Sequence, residues 1–196
     1  MMPKPLTLIV AALLVLAGCS NSSGITTPVT TSSPAVGGAN ELLTRLSLTG
    51  KSAQEIIETL DQDTRTRPLP LRASVRPDEV ILSDETSQAS LPIVGDRAFY
   101  LAIAPFMIKT HECFHHSLAT CQGELVSKPV QVRIVDSAGV VLVDAERTTY
   151  TNGFVSFWLP RNITGTITVA ADGRTGSVPF ATNSDSPTCL TTLKMT

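Results

Sequence analysis

The residues best able to do chemistry are crowded into one short segment, residues 111–121, with the sequence HECFHHSLATC. This segment holds all three histidines of the chain and two of its four cysteines. A third cysteine, Cys189, lies in a C-terminal run, residues 188–195, whose alternating pattern predicts a strand. The strand is expected to carry that distant sulfur to the histidine-rich loop. The residues predicted to share its face are Cys189, Thr191, Leu193 and Met195.

Three chemistries compete for these side chains. A disulfide, Cys113–Cys121 or Cys121–Cys189, would staple the fold and leave one thiol over, because three cysteines besides Cys19 are an odd number. Three cysteines with one histidine also form an ordinary tetrahedral zinc site. Monovalent copper is soft and prefers thiolate sulfur, while imidazole also suits divalent copper. The residues themselves leave all three readings open.

Several other function classes find little support in the chain. Cys113 and His116 could form a hydrolytic pair, but the sequence identifies neither an orienting acid nor an oxyanion hole. It also has no Cys-x-x-Cys motif, no glycine-rich phosphate loop and no serine nucleophile motif. The formal net charge of −2 does not indicate the basic surface that nucleic-acid binding requires.

The elements that must position these residues change character near residue 69. Residues 40–68 predict a small helical segment, in which Ser52 and Glu55 form a capping box. This segment is free of aromatic residues and cannot hold a core alone. We expect it to pack on the rest of the chain, with a homodimer through the helices as the alternative.

Residues 69–196 predict a β-rich domain with short strands and frequent turn signals. The nearly apolar run 99–108 predicts a strand buried on both faces, which Pro105 restricts to an edge or a bulge. Asn152-Gly153 and Asp172-Gly173 predict hairpins. The fold class is therefore mainly β, an antiparallel sandwich, and residues 130–180 resemble the prealbumin-like sandwich of carboxypeptidase regulatory-type domains.

The N-terminus is typical of a targeting segment. Residues 1–18 have the basic start and short apolar run of a signal peptide. They end in Leu16-Ala17-Gly18-Cys19, which resembles a bacterial lipobox and predicts a lipid on Cys19. Residues 19–39 then predict a flexible linker. We therefore expect a lipoprotein on the outer side of the cell membrane, in an oxidising setting.

The pattern His-x-Cys-x2-His-Ser-x3-Cys-x-Gly-Glu from His111, together with the tail around Cys189, resembles the bacterial periplasmic copper-binding protein family CueP. The resemblance implies copper binding in the cell envelope for copper homeostasis and resistance. It carries Cys113, Cys121 and Cys189 over as copper ligands. It makes His116 the best imidazole candidate, with His111 as a further one.

We expect the protein to sequester Cu(I) and to reduce Cu(II), because a pair of thiolates can give up two electrons on forming a disulfide, and the resemblance points the same way. Cys113 and Cys121 are the candidate redox pair. A periplasmic or cell-surface cuproenzyme is the partner that would take the copper. The lipobox departs from the family, whose members are described as soluble, and favours buffering or reduction at the membrane. The competing function is a disulfide-stapled or zinc-binding secreted domain with no copper role.

Overall fold

The computed structural model describes residues 36–196. The predicted signal peptide, the lipidation site Cys19 and most of the predicted linker lie outside these residues. Among residues 36–196, no helix has both the length and the apolar character needed to cross a membrane.

Two helices open the described chain. Helix α1 spans Val36–Arg45 and begins four residues before the predicted helical segment, and α2 spans Ala53–Asp61. The predicted capping box is confirmed: Glu55 N–H donates to the Ser52 hydroxyl, and Ser52 N–H donates to the Glu55 carboxylate. The apolar stripe of the helices is buried in a core shared with the first sheet, so the chain covers it with its own strands. The homodimer stays a prediction.

The strands of the described residues form three sheets and confirm the mainly β fold. The first sheet has the order β1-β2-β3 and is antiparallel. The second has the order β10-β4-β7, with β10 parallel to β4, and the third is antiparallel with the order β6-β5-β8-β9. The strand bounds are β1 Arg72–Val75, β2 Glu79–Ser83, β3 Gln88–Pro92, β4 Phe99–Ile103, β5 Pro129–Asp136, β6 Val141–Thr148, β7 Val155–Leu159, β8 Thr164–Ala171, β9 Arg174–Ala181 and β10 Cys189–Leu190.

Strand β4 lies at the centre of the molecule, and all five of its residues are buried. Phe99, Leu101 and Ile103 pack into the core against the four-stranded sheet, as in a β-sandwich. Tyr100 and Ala102 point the other way, into the core shared with the helices and the first sheet. The prediction of a strand buried on both faces is confirmed, and this second face is where the cysteines gather.

The C-terminal tail corrects one prediction. Cys189 lies in the core on the helical side, whereas Leu193 and Met195 lie in the sandwich core on the opposite side. Ala104 N–H donates to the Leu190 carbonyl, and Phe106 N–H, two residues on, donates to the Leu193 carbonyl, three residues on. The tail therefore contains one extra residue opposite Pro105 and changes face, so strict alternation fails.

The two predicted hairpins have different outcomes. Asp172-Gly173 joins β8 to β9 in a continuous antiparallel ladder, as predicted. Asn152-Gly153 does form a tight turn, in which Tyr150 N–H donates to the Phe154 carbonyl. However, β6 and β7, on either side of it, belong to different sheets. The turn therefore moves the chain from one layer of the sandwich to the other.

Candidate metal centre

The donor atoms of four predicted site residues meet at one point. Cys113, His116 and Cys121 come from the loop between β4 and β5, and Cys189 is the first residue of β10. Their sulfur and ring nitrogen atoms all lie within 4.8 Å of one another. Since β10 runs alongside β4, pairing Cys189 with Ala102, the central strand places the distant sulfur beside the loop that follows it.

Backbone hydrogen bonds hold the loop on two sides. Val75 N–H in β1 donates to the His116 carbonyl at 2.9 Å, and Leu118 N–H donates to the Ala73 carbonyl at 3.0 Å. On the other side, the Thr188 hydroxyl accepts from His116 N–H at 3.0 Å. The loop is irregular but fixed. Residues whose spacing would not place them on one face of a helix or strand can therefore converge on one point.

The far end of the loop is held by a carboxylate and by two glycines. Glu124 accepts hydrogen bonds from the backbone N–H groups of residues 107–109, and these bonds lower its pKa. This agrees with the prediction that Glu124 fixes the loop. Gly123 N–H donates to the Asn152 carbonyl at 2.7 Å, and a Cβ on Gly123 would lie 2.5 Å from the Gly153 carbonyl oxygen. Only glycine permits this approach.

The sulfurs are not equivalent. Cys113 and Cys189 are joined by a disulfide with a Cα–Cα distance of 5.6 Å, and Cys121 is a free, buried thiol. The Cys121 Sγ lies 3.4 Å from the Cys113 Sγ. The bridge is neither of the two considered from the sequence, because β10 delivers Cys189 directly to Cys113. The predicted redox pair, Cys113 and Cys121, is in contact but not bonded.

His116 and Asp61 form a fully buried ion pair beneath the sulfurs. Nε2 of His116 lies 2.9 Å from Oδ1 of Asp61, and Nδ1 lies 3.7 Å from the Cys189 Sγ. Burial alone would lower the pKa of His116, but the Asp61 charge and hydrogen bond raise it to about 9. Burial alone would raise the pKa of Asp61, but the charge and hydrogen bond of His116 lower it to about 2. A metal ion binding at Nδ1 must therefore displace a proton.

The other predicted or considered donors lie outside this group. His111 packs its ring edge against Phe154, and its buried Nε2 has no hydrogen-bond partner within the described residues. Its role as a ligand stays a prediction. His115 Nδ1 accepts from Arg76 at 2.5 Å. Met195 is 1% exposed in the sandwich core and so contributes packing.

An open cleft of about 810 Å³ leads to the sulfurs. Cys113 and Cys121 are among its lining residues, with His111 and His115 on the same loop. Cys113 is half-buried, whereas His116 is fully buried. A metal ion that enters the cleft would therefore reach the sulfurs before the imidazole, which lies deeper in the protein.

Comparison with known proteins decides the family. The family model for the periplasmic copper-binding protein CueP matches residues 55–194, more than half of the chain. The chain belongs to the CueP family. The crystal structure of S.CueP resembles the present structure with a TM-score of 0.77 at 43% sequence identity, and the match covers 84% of this chain and 100% of that chain. Comparison with curated proteins finds no match.

The CueP match includes all four donors and also Asp61, so the candidate metal centre and all but the first two residues of helix α2 fall inside the family region. It confirms the resemblance stated from the sequence, and with it a family described as periplasmic and copper-binding. Helix α1 precedes the matched residues.

Sequence reasoning missed the residues beneath the donors. These residues do not have the cysteine and histidine types that mark a metal site. One signal was available: Asp61 follows Ile57 by four residues, so the helical period places an acid on an apolar face. Such an acid needs buried partners. The missed residues are Asp61, Tyr100, Asn152 and Ser156.

Proposed function

We propose that this protein binds Cu(I) outside the cytoplasm through Cys113, Cys121, Cys189 and His116, and so contributes to copper homeostasis and resistance. The observation that carries the proposal is the meeting of three sulfurs and one imidazole nitrogen within 4.8 Å. Soft thiolates favour Cu(I) over hard cations. A disulfide sulfur is not a thiolate, so full binding requires Cys113 and Cys189 in the reduced state.

The bridge supports a second step, the reduction of Cu(II). When Cys113 and Cys189 form their disulfide, two thiols lose two protons and two electrons. Two Cu(II) ions each take one electron and become Cu(I). Afterwards Cys121 and His116 remain as donors, fewer than in the reduced site, so transfer of Cu(I) to a copper enzyme of the cell envelope becomes easier. A second round requires an external thiol donor to reduce the bridge.

Cysteine substitution tests the ligand set. Cys189→Ser should weaken Cu(I) binding by at least about 10-fold, because it removes one of three soft ligands. Met195→Leu is the matched control, since it removes a sulfur from the same tail that faces the sandwich core. Affinity is measured by anaerobic competition with a chromogenic Cu(I) chelator. Equal Cu(I) affinities for the parent and Cys189→Ser would refute the ligand assignment, and preference for Zn(II) over Cu(I) would favour the zinc reading.

Thiol counting tests the reduction step. Reduced protein is mixed with Cu(II) and the Cu(I) chelator without air, and the remaining thiols are titrated. The proposal requires Cu(I) to appear with the loss of one thiol for each copper reduced, and Cys121→Ser to retain this reaction because it keeps Cys113 and Cys189. Cu(II) that stays unreduced while all thiols remain titratable would leave sequestration as the function.

The proposed setting of this activity is the membrane surface. We propose that Cys19 carries lipid and holds the copper site on the extracytoplasmic side. The supporting observation is the sequence Leu16-Ala17-Gly18-Cys19 at the end of a short apolar run. The family description, periplasmic, agrees with an extracytoplasmic site.

A further inference from the structure

A buried carboxylate lies on the side of His116 away from the sulfurs. Asp61, the last residue of α2, is 0% exposed. Its Oδ1 accepts from His116 Nε2 at 2.9 Å and from Asn152 Nδ2 at 2.7 Å. Its Oδ2 accepts from the Tyr100 hydroxyl at 2.6 Å and from the Ser156 hydroxyl at 2.9 Å. The donors come from β4, β7 and two loops.

This set of contacts leaves the carboxylate no freedom. An ionised carboxylate offers about four lone-pair positions, and four donors occupy them here. Asp61 is also absent from the group of donor atoms that meet near the cysteines. It therefore acts on the metal centre through His116 and is not itself a ligand.

Contacts to the backbone and to the ring fix the orientation of His116. The His116 backbone N–H donates to the Thr188 hydroxyl, and the imidazole ring packs against Phe154 with a centroid distance of 4.6 Å. With Nε2 committed to Asp61, Nδ1 is the ring nitrogen that faces the sulfurs, 3.7 Å from the Cys189 Sγ. A ring rotated by a half turn would lose the carboxylate and point a carbon at the sulfurs.

We propose that Asp61 is a positioning residue: it keeps the proton of His116 on Nε2 and directs the lone pair of Nδ1 at the copper ion. This inference rests on the proposed function, the binding of Cu(I) by the three cysteines and His116. Carboxylates that orient a metal-binding histidine typically contribute about 10- to 100-fold in metal affinity. Without Asp61, the centre falls from four donors to three sulfurs.

The unmodified protein allows a direct test. The chain has three histidines, so long-range proton–nitrogen NMR of protein labelled with ¹⁵N-histidine can follow each ring. On loading with Cu(I), the His116 signals should report a metal-bound Nδ1 and a protonated Nε2. Copper on Nε2, or a His116 ring that Cu(I) leaves unchanged, would overturn the proposal. Because it uses the unmodified protein, this measurement tests the proposal even if variants at Asp61 fail to fold.

Substitution tests the same idea from the other side. Asp61→Asn keeps the shape but replaces a charged acceptor by a neutral one, which forms weaker hydrogen bonds. We expect Cu(I) affinity to fall by about 10- to 100-fold. Glu58→Gln is the matched control, because it makes the same change from carboxylate to amide on the same helix, at an exposed residue that accepts from Trp158, and it should leave affinity within about 3-fold of the parent. A loss as large in Glu58→Gln as in Asp61→Asn would indicate a general structural effect and overturn the proposal.

A double substitution separates action through His116 from general damage. If Asp61 acts only through the imidazole, Asp61→Asn added to His116→Ala should cost no further Cu(I) affinity. Additive losses would contradict this route. If the parent does not bind Cu(I), the proposed function fails. If the parent binds but Asp61→Asn binds equally well, only the positioning role fails.

Discussion

At the scale of single residues, the Asp61–His116 pair gives the metal-free protein a defined pH dependence. The pKa of Asp61 is lowered from 3.8 to about 2, so its contribution to stability is present above pH 3.8 and is lost as the pH falls toward 2. The pKa of His116 is raised from 6.5 to about 9, so its contribution is present below pH 6.5 and is lost as the pH rises through 9. Both shifts describe one ion pair.

We therefore expect resistance to urea to be greatest between about pH 4 and 6.5 and to fall on both sides. The measurement is the urea midpoint of the metal-free protein as a function of pH. Asp61→Asn serves as the control, because it removes the carboxylate that raises the pKa of His116 and should abolish the fall in stability between about pH 6.5 and 9. An unchanged fall at alkaline pH in Asp61→Asn would contradict the assignment of this pH dependence to the pair.

At the scale of elements, the contact between Gly123 and the 152–153 turn fixes the end of the cysteine loop. Gly123→Ala would place a Cβ 2.5 Å from the Gly153 carbonyl oxygen, so the backbone must move. We expect a loss of about 1–3 kcal/mol in the free energy of unfolding, as for other overpacked sites. Because Cys121 lies two residues away, weaker Cu(I) binding should accompany it. Chemical denaturation and chelator competition measure the two effects.

Gly38→Ala in α1 is the matched control for this substitution. Its added Cβ would meet the Ser87 hydroxyl at 3.8 Å, an ordinary contact. Replacing a helical glycine by alanine should raise the free energy of unfolding by about 0.5–1 kcal/mol and leave copper binding unchanged. Equal stability of Gly123→Ala and the parent would show that the loop can adjust without cost.

Local patterns predicted the elements where the signal was itself local. The capping box of α2, the doubly buried β4 and the Asp172-Gly173 hairpin depend on neighbouring residues, and the structure contains all three. The Asn152-Gly153 turn was identified, but its role as a crossing between sheets depends on which sheet each flanking strand joins. The face of the tail was predicted wrongly because the extra residue opposite Pro105 is visible only once β10 pairs with β4.

For the candidate metal centre too, the sequence predicted what depends on residue type and missed what depends on three-dimensional approach. Cysteine and histidine identity indicated Cys113, His116, Cys121 and Cys189, and the structure brings their donor atoms together. The identity of the bridged pair depends on three-dimensional approach, which spacing along the chain does not encode. His116 is paired with Asp61, and the other donors to Asp61 come from residues 100, 152 and 156, so no short motif could contain them.

At the scale of the whole molecule, the proposed anchor and the copper site should be separable. Cys19→Ser should move the protein from the membrane fraction to the soluble fraction and leave Cu(I) affinity unchanged, because the site is built from residues 61–189. Cys121→Ser is the matched control and should stay in the membrane fraction. Fractionation followed by chelator competition tests both statements. A parent protein recovered wholly in the soluble fraction would rule out the anchor.

The central claim, a Cu(I) site of three sulfurs and one imidazole, is tested most directly by X-ray absorption at the copper edge. The sample is the reduced protein loaded with one equivalent of Cu(I) without air. The geometry of Cys113, Cys121, Cys189 and His116 predicts three sulfur neighbours and one nitrogen neighbour around copper. Copper surrounded only by nitrogen and oxygen, or by fewer than three sulfurs in the fully reduced protein, would contradict the account.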